Sequence, residues 1–136
     1  MEPEAFLKTI YLGDRACKGL VLDSWENKLK LHIDVISRVR DESGKWNHYD
    51  LEDIESGYLV FDGLREVRFS PPGLLPNDYI NDVRVKQVNV EGQSLYEFSV
   101  SVSSVDAKGG SREITITALA ADCYLEDPRM PGQQVR

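Results

Sequence analysis

Cys17-Lys18-Gly19-Leu20-Val21-Leu22-Asp23 runs into Ser24-Trp25-Glu26-Asn27-Lys28 and then into Leu29-Lys30-Leu31-His32-Ile33-Asp34-Val35. In the last run Leu29, Leu31, Ile33 and Val35 alternate with Lys30, His32 and Asp34, the period of a strand with one wet face. Leu20 and Leu22 alternate with Val21 and Asp23 less cleanly. A polar turn between two such runs predicts a β-hairpin, and the later segments repeat the pattern.

Tyr58 to Phe61 reads as a strand, Asp62-Gly63 as a hairpin turn and Leu64 to Phe69 as the returning strand. Pro71-Pro72-Gly73 ends it, because proline cannot continue a central strand. Val83 and Val85 fall on one phase and Val88 and Val90 on the other, so a β-bulge is expected near Gln87. Tyr96, Phe98, Val100 and Val102 form the cleanest alternation. Ile114, Ile116 and Ala118 follow after a loop containing Gly109-Gly110. Before the hairpin, Pro3 to Ile10 reads as a short helix with Phe6 and Ile10 on one face and Gly13 as its cap. A helical turn capped by Asp50 and stopped by Gly57 is expected over residues 50–56.

This pattern predicts a mainly β protein: an antiparallel two-sheet sandwich or flattened barrel of seven or eight strands with a short N-terminal helix. The absence of a long helical crossover argues against a parallel sheet. Residues 1–126 are expected to form the single domain, and the Pro- and Gln-containing tail 127–136 is expected to fray.

The chain has 136 residues and a formal net charge of -7. Such a charge repels a phosphate backbone, so nucleic acid and anionic membrane are not expected as partners, whereas a basic protein is attracted. The longest apolar runs fall far short of a membrane span. The acidic start at Met1-Glu2-Pro3-Glu4 differs from a secretory leader. With only Cys17 and Cys123 as cysteines, free thiols in a cytoplasmic location are the expectation.

His32 and His48 are the only histidines. His48 sits beside Trp46, Asp50, Glu52, Asp53 and Glu55, but the run lacks the ligand pattern of a calcium loop and the His/Cys content of a zinc site. No metal or other cofactor is expected. Nucleophile elbows and phosphate loops are absent, so no catalytic residue is assigned. Trp25, in a hairpin turn, either folds back over the sheet or stands out as an anchor for a partner, and packing is the reading adopted. Trp46, Tyr49, Asp50, Glu52, Asp53 and Glu55 form the candidate binding segment. Its aromatics offer rigid contact area, and its crowded carboxylates would be relieved by a basic partner.

Tyr11 to Cys17, Val35 to Arg38, Val60 to Gly63 and Asn77 to Asp82 resemble features of a family of small uncharacterised bacterial proteins, a domain of unknown function, over about three-quarters of the chain. The layout is also similar to polymorphic-toxin immunity proteins, which are often acidic, cytosolic and single-domain. That resemblance implies a non-enzymatic binding role, with toxin neutralisation as its specific form, and carries over no site residues. The alternatives are a small-ligand-binding β-barrel and an unrecognised hydrolase.

Overall fold

The structure, a computed structural model, describes residues 2–38 and 53–136. The N-terminal helix α1 is shorter than expected, spanning Pro3–Leu7 with Pro3 in its first turn and Lys8 at its C-cap. Ile10 leaves the helix to begin strand β1 (Ile10–Tyr11), so Gly13 is not the cap. The hairpin follows as β2 (Cys17–Asp23) and β3 (Lys28–Arg38). Then come β4 (Ile54–Asp62), β5 (Glu66–Ser70), β6 (Ile80–Val90), β7 (Gln93–Val105), β8 (Ser111–Ala120) and β9 (Asp122–Glu126). The protein is mainly β, with nine strands among the described residues in two antiparallel sheets, one of them curled as a half-barrel.

The first sheet runs β1-β3-β4-β9, with β2 also paired to β3; the second runs β5-β8-β7-β6. Period-two patterning becomes a cross-strand lattice. On the inner face of the first sheet, Leu20, Leu31, Leu59 and Leu125 form one row, and Leu22, Leu29, Phe61 and Cys123 the next. They meet Phe98, Val100, Val102, Ile114, Ile116 and Ala118 of the second sheet in one core cluster. Phe61 and Phe98 join the two layers, their ring centroids 4.7 Å apart in a tilted arrangement.

Asp62-Gly63 is not a hairpin turn. It is a corner: β4 lies in one sheet and β5 in the other. The groups that would have paired β4 with β5 are taken elsewhere. Ala121 N–H donates to Asp62 O, Leu64 N–H to Asn27 O and Arg65 N–H to Leu119 O. A second corner at Ala121 joins β8 to β9, so two bent strands run side by side through both sheets. Gly63 has φ of 65°, and a Cβ there would lie 2.8 Å from Ala121 Cβ, so only glycine fits.

Two other details differ from the sequence reading. The bulge of β6 lies at Asn81, between Ile80 and Asp82, and the register then holds through Val90. Val88 changes face because it opposes Leu95, which is itself buried on the outer side. Ile54 to Ser56, expected within a helical turn, and Gly57, expected to stop it, belong to β4. Gly57 is there because a Cβ would come within 2.7 Å of Ile54 Cγ2 and 3.0 Å of Ile36 Cδ1. The tail from Asp127 turns back on the sheet: Leu125 and Val135 exchange two backbone hydrogen bonds, and Arg136 pairs with Asp122 at 2.6 Å.

Candidate functional site

Of the sequence-derived binding segment, Trp46, Tyr49, Asp50 and Glu52 lie outside the described residues, as does His48. Asp53 directly precedes β4 and is half-buried, with Oδ1 shielded from solvent and without a hydrogen-bond partner. Glu55 is exposed on β4, opposite Val35. Arg129 stands near enough to Glu55 to feel its charge, although its guanidinium is held charged chiefly by its bonds to Asp127. In turn Arg129 holds the Asp127 carboxyl below the usual carboxylate range.

A second feature open to a partner lies elsewhere among the described residues, on the β2 side of the first sheet. β2 pairs with β3 along one edge only. Its first residue is tied down, since Cys17 N–H donates to Asp78 O (2.9 Å) and Ala16 bridges Tyr79. From Gly19 to Asp23 the described backbone bonds run only to β3. Val21 and Leu22 are 45% and 49% exposed on this edge. The hairpin loop 24–27 then projects Trp25, which is 91% exposed. The expectation that Trp25 packs over the sheet is therefore corrected. Asp23 Oδ1 accepts from Glu26 N–H (2.9 Å) and Asn27 takes a left-handed φ of 56°, so the loop closes tightly and leaves the intervening ring outside.

Beside this edge lies an apolar groove of about 510 Å³, floored by Leu20 and Phe69 and walled by Leu74, Leu75 and Pro76. Leu75 is 72% exposed. Lys18 stands at one end, its Nζ donating to Ser56 Oγ at 3.0 Å. The sequence held a signal for this surface that the strand reading passed over. Leu20, Val21 and Leu22 are consecutive apolar residues, which places apolar side chains on both faces of a strand lacking a second neighbour.

The polar cluster around Lys30 is internally paired. Lys30 pairs with Glu126 at 2.9 Å and lies over the Tyr58 ring, on which His32 stacks. Cys17 and Cys123 are both free and buried. Burial pushes the Cys17 thiol up, and burial followed by the Asp122 charge pushes Cys123 up to about 12, so neither supplies a thiolate at neutral pH. Among the described residues no group of three or more His, Cys, Asp or Glu is placed to hold a metal ion. Likewise, no helix among them is long and apolar enough to cross a membrane.

No curated protein matches the chain. A family model described as a family of unknown function, DUF6258, matches residues 1–136, and the chain belongs to that family.

Proposed function

We infer that the protein is a non-enzymatic, cytoplasmic binding protein that acts on another polypeptide, in the manner of a toxin-neutralising immunity protein. The observation that carries this reading is the open edge of β2 with its apolar middle, Leu20 to Leu22, continued by Trp25 at 91% exposure. Unpaired main-chain groups on a sheet edge give affinity for an extended segment, and the side-chain pockets beside them give selectivity. Tryptophan is enriched among residues that dominate binding energy. The net charge of -7 attracts a basic polypeptide and speeds its encounter, an effect that weakens as salt rises. Asp53 and Glu55, at the end of the acidic segment, add to that field.

The test is a calorimetric titration with a basic protein encoded beside this one. Trp25→Ala is expected to weaken binding about tenfold or more, as truncation of an aromatic anchor does. Unchanged affinity in that variant, together with indifference to salt, rejects the reading.

A second reading has its own observation. The groove of about 510 Å³ falls in the size range of small-molecule sites and is lined mainly by apolar side chains. Stoichiometric binding of a fluorescent apolar dye, insensitive to Trp25→Ala and lost on Leu74→Glu, would favour a small-ligand role.

A further inference from the structure

We propose that β2 pairs antiparallel with β2 of a second copy of this chain, across a two-fold axis at Val21, and that each copy's Trp25 seats in the other's groove. This rests on reading the β2 edge as a binding surface, and it adds a regulator to that surface. The self-pair masks the edge, so another polypeptide is captured only by the monomer.

The charge order of the strand carries the argument first. Lys18 stands at one end and Asp23 at the other, with Gly19, Leu20, Val21 and Leu22 between them. With the axis at Val21, an antiparallel copy sets Asp23 opposite the second copy's Gly19, one residue along from Lys18, at both ends; a parallel copy would set like charges together. Opposite charges across strands stabilise and like charges oppose pairing.

Register carries it next. A two-fold axis normal to the sheet keeps each face continuous, so opposed residues must share a face. Leu20 and Leu22 share the inner face with Leu31 and Leu29, while Val21 lies on the outer face with Lys30. With Val21 on the axis, Leu20 opposes the second copy's Leu22 twice over, and Val21 meets its own counterpart. A slip that keeps the faces matched opposes Lys18 to Leu22 or Asp23 to Val21, which desolvates a charge against an apolar side chain.

The groove then accounts for Trp25. Cys17 N–H is already committed to Asp78 O, so the added strand must stop near Gly19. Beyond that point the second copy's hairpin loop passes over residues 73–77. Its indole arrives beside Leu20, Phe69, Leu74 and Leu75, the residues that line the groove. Two exposed apolar features that lie apart within one chain, Trp25 and the groove, thereby cover each other.

The experiment is sedimentation velocity of the full chain across the micromolar range, with Val21→Glu and Trp25→Ala beside the parent. Glu at position 21 sits opposite Lys30 within the chain, so folding is undisturbed. In the pair it sets two carboxylates against each other on the axis. The parent is expected to move from monomer to dimer, and each variant to weaken self-association about tenfold or more with unchanged circular dichroism and thermal midpoint. Because each copy carries -7, salt should not weaken the self-pair as it weakens capture of a basic polypeptide. A parent that stays monomeric, or a dimer that both variants leave intact, overturns the proposal. Neither result touches the calorimetric test of the β2 edge as a binding surface, which fails on its own if Trp25→Ala binds the basic protein normally.

Discussion

β2 and β6 are both edge strands, and they are finished differently. On β6, Asp82, Arg84 and Lys86 alternate with the core-facing Val83 and Val85. Arg84 pairs with Asp82, and Lys86 reaches Glu97 on β7 at 3.5 Å. A bulge at Asn81 bends the strand at its start. Charges and bulges are the devices by which an edge is kept from pairing with a stranger. β2 has a bulge between Cys17 and Gly19, but its exposed middle is Val21 and Leu22. The difference teaches that the fold protects one edge and leaves the other available, which gives the β2 edge its functional reading.

If that contrast is one of edge chemistry, the core beneath each edge should matter equally. Leu31, beneath β2, and Phe98, beneath β6, are both fully buried. Leu31→Ala should cost about 2–5 kcal/mol and Phe98→Ala about 3–5 kcal/mol in urea unfolding. A large loss for only one of them would mean that the two sheets differ in packing and not merely in their margins.

Both edges depend on the corner that sends β4 into the second sheet. Gly63→Ala places a Cβ against Ala121 at a φ of 65° and should destabilise by about 1–3 kcal/mol in thermal or urea melts. An unaffected midpoint would show that the corner relaxes freely, and the two edges would then not be rigidly placed.

A sharper test converts one edge into the other. Arg84→Val with Lys86→Val removes the exposed charges of β6 and should change stability by no more than about 0.5 kcal/mol, as surface substitutions do. The same variant should acquire concentration-dependent association, measurable by light scattering. Persistent monomeric behaviour would show that charge is not what protects this edge.

Much of this architecture was legible in the residues, and the failures have physical causes. Alternation placed Leu29, Leu31 and Ile33 and the Phe98 to Val102 run correctly, because a buried face imposes period two wherever it occurs. The Asp62-Gly63 corner was misread, since glycine at positive φ serves a hairpin and a change of sheet equally well. Only the distant residues Asn27, Leu119 and Ala121 decide between them. Ile54 to Ser56 read as part of a capped helical turn because the pairing partners of this stretch on β3 are remote in sequence. The β2 surface was half legible: Trp25 stood out, but exposure depends on what does not lie beside it.

The smallest expected effect concerns the tail, on the margin of the first sheet opposite β2. Asp127 is held below the ordinary carboxylate range by Arg129, so it binds its proton less readily folded than unfolded. Its contribution is therefore present above the unfolded value near 3.9 and is lost as pH falls through the lower folded value. Asp127→Asn should flatten the decline of thermal midpoint below about pH 4. An unchanged acid limb would remove the ion pair from the account.

The most direct test of the central claim is hydrogen exchange at the two edges as a function of protein concentration. The amides of β2 between Gly19 and Asp23 that do not bond to β3 should exchange quickly in dilute solution and slow as the protein is concentrated. The corresponding outward amides of β6 should exchange at the same rate throughout, and Val21→Glu should abolish the slowing at β2. Equal behaviour of both edges at every concentration, with or without that substitution, would contradict the assignment of β2 as the available edge.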